Sequence, residues 1–264
     1  MITEQEINKL AKQYETTDFI KDDPIKIPHR YSAKKDIEIA GFMASLVAYG
    51  RRDVFIKKLE QLLQIAQNEP YNFIMNFEPN VLGDFNYRFG KPDDFAQIFN
   101  ILKNLYQKDG GLEELFKYGY NCTRQTTSST QTNMFVPITD YFYSRAKTPD
   151  ATGFKFMIPD ANKGSAMKRM CMFLRWMVRK KPVDFEIWDF MPASDLLIPL
   201  DTHVARLSRE MGLLTRNAND FKSVLELTEN LRKFDPKDPI KYDFALFGYG
   251  VNSRYPSPRF NFEN

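Results

Sequence analysis

The stretch IPLDTHVARLSREMGLL, residues 198–214, leads an apolar, proline-bounded segment into a helical pattern that starts with one carboxylate, Asp201. An aspartate at this position caps a helix, because its side chain accepts hydrogen bonds from the first backbone N–H groups. The rigid approach through Pro199 also suits a carboxylate that faces a reaction. Asp201 is therefore open to two compatible interpretations, as a helix cap and as an active-site acid.

Helical patterns fill most of the chain. Thr3 and Glu6 form a capping-box pattern that opens a helix reaching about Tyr14. Other segments carry apolar residues three and four positions apart, which is typical of helices with a buried face. These segments are 36–50, 54–66 with Asp53 as the cap, 91–106, 164–181, 202–214, 220–233 and 239–250. We predict an all-α protein of about ten helices.

Three segments depart from this pattern. Residues 22–32, DDPIKIPHRYS, are interrupted by prolines and are predicted to be extended. Residues 121–133 contain seven serines and threonines without an apolar period, which indicates a loop. Residues 153–158, GFKFMI, alternate and can form one short strand, which is too little for a sheet.

The composition is that of a globular protein, with 264 residues of which 43% are hydrophobic and 27% charged. Its two cysteines and two histidines are scattered, which argues against an iron–sulfur cluster or a zinc site and favours a reducing compartment. No apolar run of membrane-spanning length and no secretory signal is visible. We expect a cytoplasmic monomer without membrane contact, metal ion or organic cofactor.

Positive charge is concentrated between residues 163 and 181, which include seven basic residues and no acidic one. We call this segment the basic stripe. A stripe of this kind suits a polyanion, although solvated basic faces are common. The turn before the helix, from Asn162 to Ala166, is rich in small residues, and the backbone N–H groups of such a turn can hold a phosphate.

Lys168 is the candidate nucleophile in this helix. Its methionine and phenylalanine neighbours can desolvate the amine and Arg169 adds a like charge, and both effects lower a lysine pKa. Asp201 can then stabilise developing positive charge or orient an attacking group. Two alternatives remain open: Lys168 is a solvated surface lysine, or Lys163, inside the turn, is the nucleophile.

Two stretches resemble the helix-hairpin-helix DNA glycosylase superfamily. IPLDTHVARLSREMGL (198–213) is similar to its aspartate motif, and GSAMKRMCMFLRWM (164–177) is similar to its hairpin and following helix. Matched position by position, the nucleophilic lysine of the lyase-competent members falls on Lys168 and the aspartate on Asp201. Ala166 stands where the hairpin has its second glycine. The long connection between the two motifs looks like that of the archaeal 8-oxoguanine glycosylases.

The whole chain also resembles an uncharacterised bacterial family known chiefly as a domain of unknown function. The stretches that carry this second resemblance are PHRYS (28–32), AYGRR (48–52), FLRWMVR (173–179) and PLDTHVARL (199–207). This closer match implies no activity.

The glycosylase resemblance implies two helical subdomains with a helix-hairpin-helix motif and a cleft between them. Residues 36–190, including a hairpin over 158–181, would form a central helical barrel, and residues 1–35 with 191–264 would form the second subdomain. The implied function is a DNA base-excision glycosylase with abasic-site lyase activity on damaged duplex DNA. 8-Oxoguanine or another oxidised base is the first candidate substrate.

The same interpretation assigns further roles. The DNA-binding candidates are Lys163, Gly164, Ser165, Ala166 and Arg169 around the hairpin, and Arg51 and Arg52 between two helices. Trp188, Phe190 and His203 are candidates for the base pocket, with simple packing as the alternative. Two other functions remain open: a non-catalytic helix-hairpin-helix protein that binds nucleic acid, and a structural protein whose basic stripe meets an acidic partner.

Overall fold

The computed structural model describes residues 2–125 and 133–252. These residues form thirteen α-helices, six short 3-10 helices and no β-sheet, which confirms the predicted all-α fold. The α-helices are α1 (Glu4–Tyr14), α2 (Thr17–Asp22), α3 (Lys34–Val47), α4 (Arg52–Ile65), α5 (Pro70–Met75), α6 (Pro92–Lys108), α7 (Leu112–Gln125), α8 (Phe135–Tyr143), α9 (Thr152–Met157), α10 (Lys168–Val178), α11 (Thr202–Glu210), α12 (Phe221–Arg232) and α13 (Tyr242–Asn252).

The prediction of an extended segment over 22–32 is wrong, since Pro24–Lys26 and Pro28–Arg30 form two 3-10 helices. Each begins with a proline, whose fixed φ suits the first helical position. Asp23 caps the first of them, because its Oδ1 accepts a hydrogen bond from the backbone N–H of Ile25 at 3.0 Å. The prolines that exclude a long helix thus start short ones.

The strand predicted over 153–158 is also wrong, because residues 153–157 belong to α9 and Ile158 follows its last turn. Phe154 and Met157 lie three positions apart and are both fully buried, so one helical face enters the core. The predicted loop 121–133 begins later than expected, since α7 continues through residue 125. Residues 126–132 of that prediction lie outside the described residues.

Helices α3 and α10 cross in the interior. Gly41 of α3 permits their close approach, since a Cβ atom there would lie 3.1 Å from the Cε of Met177. Glu38, also on α3, is buried and accepts hydrogen bonds from the Trp188 indole at 2.8 Å and the Tyr106 hydroxyl at 2.7 Å. Burial raises the pKa of Glu38. The first bond fixes the connection after α10 against α3, and the second fixes α6 against it.

The first and last described helices pack together. The predicted capping box opens α1, with the Glu6 N–H donating to Thr3 and the Thr3 N–H donating to Glu6. Gly248 of α13 lies so close to Tyr14 of α1 that a Cβ atom would come within 2.4 Å of the ring. The N-terminal arm is therefore held beside the C-terminal helix.

Within the described ranges, no helix is both long enough and apolar enough to cross a membrane. The longest described helix, α6, has 17 residues. The division into subdomains 36–190 and 1–35 with 191–264 stays a prediction.

Candidate functional site

An open cavity of about 820 Å³ lies where α10 and α11 begin. Two helix N-termini that meet at one cavity make it favourable for negative charge. Its volume falls within the range of roughly 300–1,000 Å³ that is typical of small-molecule sites. The lining residues come from the N-terminal arm, the α3–α4 corner, the segment from α9 into α10, the start of α11, and α13.

Asp201 both caps a helix and lines the cavity. It is the N-cap residue of α11, and its Oδ1 accepts hydrogen bonds from the backbone N–H groups of His203 at 2.8 Å and Val204 at 2.9 Å. Its Oδ2 accepts no hydrogen bond from any other described residue. The cap thus holds the carboxyl group in place while one oxygen remains available to a ligand.

Lys168 is the first residue of α10 and lines the same cavity. The residue before it, Met167, has φ of 51° and marks the sharp turn into the helix. Among the described residues, the Lys168 ammonium makes no hydrogen bond and no ion pair. Burial lowers the pKa of Lys168. An amine of this kind is easier to deprotonate than a solvated lysine.

Three carboxylates oppose that effect without cancelling it. Asp201, Asp23 and Asp243 each raise the pKa of Lys168, and Arg169 lowers it further. Asp23 and Asp243 are both 7% exposed and line the cavity. Sequence reasoning missed both of them as site residues.

Asp243 connects the cavity with the interior. The buried Arg175 guanidinium donates a hydrogen bond to its Oδ2. Burial raises the pKa of Asp243 from 3.8 to about 6, although Arg175 lowers it. The signal was present in the sequence, because IKYDFALFGYG places one acid within an apolar run, and a buried acid needs a partner or a function.

The turn before α10 is built from local hydrogen bonds. Asp160 caps the 3-10 helix Ala161–Lys163 by accepting from the Asn162 N–H at 3.0 Å. Gly164 then adopts φ of 73°, a left-handed conformation that favours glycine. Its carbonyl accepts a hydrogen bond at 3.0 Å from the N–H of Phe221, which ties the turn to α12.

The candidate residues of this turn differ in their relation to the cavity. Ser165 and Ala166 line it, whereas Gly164 and Lys163 do not. The Lys163 ammonium is solvent-exposed and lies 3.7 Å from the Asp160 carboxylate. Of the two rival lysines, Lys168 is the one that the structure brings to Asp201.

The three arginines predicted to bind DNA also differ in their position relative to the cavity. Arg169 and Arg52 line the cavity. The Arg169 guanidinium donates to the Phe156 carbonyl, and burial lowers its pKa to about 10. Arg51 is the N-cap residue of α4, where the sequence pattern placed Asp53, and its exposed guanidinium pairs with Asp53 at 2.7 Å.

Two arginines within the basic stripe do not reach solvent, although Lys180 and Lys181 at its end are exposed. Arg175 is 2% exposed and Arg179 is 1% exposed. The side chain of Asp184, fully buried, pairs with both, at 3.3 Å and 3.1 Å. Arg179 also pairs with Glu15 and Asp238. A polyanion can therefore contact the exposed residues of the stripe, but Arg175 and Arg179 are buried and cannot take part in such a contact.

Of the three residues predicted to form the base pocket, only one lines the cavity. Trp188 is 2% exposed, donates to Glu38 and lies outside the cavity. Phe190 packs against Trp188 and Tyr120, at ring-centroid distances of 5.8 and 6.0 Å, and is also absent from the cavity lining. Their positions agree with the packing alternative. His203 is exposed and lines the cavity.

In the described ranges, no group of three or more His, Cys, Asp and Glu side chains is arranged to hold a metal ion. No curated protein and no solved structure matches the chain. One family model, described as "Protein of unknown function (DUF2400)", matches residues 23–252, which include Lys168, Asp201 and α13 and leave out α1 and α2. The chain therefore belongs to this family.

Proposed function

We propose that this protein is a DNA glycosylase with abasic-site lyase activity. The observation that carries the proposal is that Lys168 and Asp201 line the same open cavity. The lysine has no ion-pair partner among the described residues, and burial lowers its pKa. The resemblance of both motifs to the helix-hairpin-helix glycosylases supports the same reaction.

The surroundings of the pair suit a damaged strand of DNA. The N-terminus of α10, which no side chain caps, favours a phosphate near the cavity. Arg52 and Arg169 add positive charge to the lining, and Ser165 and Ala166 bring the turn before α10 to it. The proposed substrate is duplex DNA with an oxidised purine such as 8-oxoguanine, whose base would rotate out of the stack into the cavity.

In the proposed reaction the neutral amine of Lys168 attacks the anomeric carbon of the sugar. The glycosidic bond breaks, and the base leaves with the bonding electron pair and takes up a proton. The sugar ring then opens to a Schiff base on Lys168, and loss of a C2′ proton expels the 3′ phosphate. Asp201 stabilises the positive charge that develops on the sugar in the transition state.

Borohydride trapping tests this proposal. Reduction of the Schiff base joins protein and DNA covalently, and the adduct is detected on a denaturing gel. We expect an adduct with duplexes that carry 8-oxoguanine or an abasic site, and none with an undamaged duplex. Lys168→Ala is expected to form no adduct, and Lys163→Ala, a matched change in the exposed turn, is expected to form it as the wild type does.

Asp201→Asn separates the chemical role from the structural one. Asparagine caps helices as well as aspartate does, so the variant is expected to keep the fold. Loss of the charge is expected to slow adduct formation roughly 100- to 1,000-fold, as when one group that stabilises a transition state is removed. A rate equal to that of the wild type would show that Asp201 is a cap and nothing more.

The remaining outcomes identify the alternatives. Adduct formation by Lys168→Ala but not by Lys163→Ala would support the same reaction with Lys163 as the nucleophile. DNA binding without any adduct, unchanged in Lys168→Ala and Asp201→Asn, would indicate a non-catalytic nucleic-acid-binding protein. The absence of salt-dependent DNA binding would leave an interaction with an acidic protein partner.

A further inference from the structure

Exposed aromatic rings gather at the edge of the cavity, outside the part that the proposed reaction uses. Phe89 is 47% exposed and Phe156 is 38% exposed. Their ring centroids lie 4.8 Å apart, and the Tyr49 ring lies 4.6 Å from that of Phe156. Tyr49 and Phe156 also line the cavity. We call Tyr49, Phe89 and Phe156 the aromatic rim.

Two arginines accompany these rings. The Arg169 guanidinium carbon lies 5.3 Å from the ring centroids of both Tyr49 and Phe156. That of Arg88 lies 6.0 Å from the Phe89 centroid. Neither arginine has a carboxylate within ion-pair distance among the described residues. The rim therefore combines exposed ring faces with positive charge that no described acid neutralises.

The backbone holds part of this surface in a disfavoured conformation. Tyr87 and Gly90 exchange two backbone hydrogen bonds of 2.9 Å, so Arg88 and Phe89 form the tip of a two-residue turn. Arg88 has φ of 50°, in the left-handed region where glycine and asparagine are favoured. A strained turn that presents two exposed side chains beside a cavity points to a binding function.

We propose that the aromatic rim stacks an unpaired nucleobase of DNA while Arg88 contacts the adjoining phosphate. Every nucleobase offers a π-face, and single strands bind on surfaces that combine aromatic rings with cations. The inference rests on the proposed function in one respect, that DNA is the partner. It adds a site for a second base at the edge of the cavity, next to the lesion.

A fluorescent base analogue tests this site directly. The probe is a duplex with a tetrahydrofuran abasic analogue, which cannot form a Schiff base, opposite 2-aminopurine. Stacking on a rim ring is expected to change the 2-aminopurine emission on binding of the wild type. Phe89→Ala and Phe156→Ala are each expected to weaken binding roughly 10-fold and to abolish the emission change. Phe89→Tyr, which keeps a ring, is expected to behave as the wild type.

Tyr118→Ala is the matched control, because Tyr118 is 62% exposed on α7 and does not line the cavity. It is expected to bind the probe as the wild type does. A fully paired duplex is expected to be much less sensitive to the rim variants. Equal probe affinity and unchanged emission in Phe89→Ala and Phe156→Ala would overturn the proposal, and so would a wild type that does not bind the probe.

The two proposals fail in distinguishable ways. If the rim variants bind the probe normally while Lys168-dependent trapping persists, the proposed reaction is supported and the proposed rim site is refuted. If no lesion yields an adduct but probe binding depends on Phe89 and Phe156, the proposed rim site is supported and the proposed lyase activity is refuted.

Discussion

Helix α10 carries cations at both ends, and the two ends differ in almost every physical respect. At the N-terminal end Lys168 faces an open cavity, without an ion-pair partner among the described residues. At the C-terminal end Arg175 and Arg179 are buried, and four carboxylates compensate them. The first arrangement destabilises a charge and the second neutralises one.

The difference shows that the basic residues of one helix need not share one exposed surface. A buried ion pair contributes little more to stability than apolar packing would. The loss of one partner is nevertheless strongly destabilising, because it leaves the other charge buried without compensation. A desolvated amine beside a cavity costs stability in the resting protein and makes the amine more reactive. We therefore expect substitutions at the two ends to have opposite effects.

The largest effect is expected at the buried end. Arg179→Met leaves the Asp184, Asp238 and Glu15 carboxylates short of a partner, and the free energy of unfolding is expected to fall by about 3–5 kcal/mol. Urea denaturation measures this change. The neighbouring exposed residue supplies the control, since Lys180→Met is expected to change the free energy by less than about 0.5 kcal/mol. Equal effects of the two substitutions would show that the buried ion pairs of Arg179 do not stabilise the fold more than an exposed lysine does.

The next effect concerns the pH dependence of Asp243. Its pKa rises from 3.8 to about 6 on folding, so the folded state binds the proton more tightly than the unfolded state. Stability therefore falls as the pH rises from about 4 to about 6 and levels off above it. Relative to Asp243→Asn, the wild type is expected to lose about 3 kcal/mol of unfolding free energy over that interval.

Urea denaturation of both proteins at several pH values gives this difference directly. All other titrating groups are common to the two chains and largely cancel. A difference that does not vary between pH 4 and pH 7 would mean that Arg175 keeps the carboxyl group ionised throughout.

The smallest effect is expected at the open end. Lys168→Met keeps an unbranched side chain one atom shorter and removes the desolvated charge, so the free energy of unfolding is expected to stay equal or rise by up to about 1 kcal/mol. The same urea titrations measure it, and the trapping assay is expected to show no adduct. A loss of 2 kcal/mol or more would make Lys168 a structural cation like Arg179.

Much of the fold could be predicted because helical periodicity is local. The spacing of apolar residues located α3, α6 and α12 to within a few positions, and Thr3 with Glu6 placed the start of α1. The failures came where one pattern has two structural outcomes. Prolines in 22–32 exclude a long helix and also start 3-10 helices, and the short apolar segment 153–158 fits a helix as well as a strand.

The site was harder to predict because its electrostatics are not local. Lys168 and Asp201 could be located from their own motifs, but Asp23 and Asp243 reach the cavity only through tertiary packing. The same reason explains the error over Arg175 and Arg179, whose partners lie on other segments. Their position within the apolar run MCMFLRWMVR was the available signal, since an arginine in such a run needs a buried acid.

The contribution of α13 to the cavity has a consequence for the newly made protein. Translation completes Lys168 well before it reaches Asp243, and α13 supplies part of the wall that desolvates the lysine. A ribosome-bound chain that ends before Asp243 therefore lacks this part of the wall and one of the three carboxylates that act on the Lys168 ammonium. The cavity gains its full lining only after synthesis has reached α13.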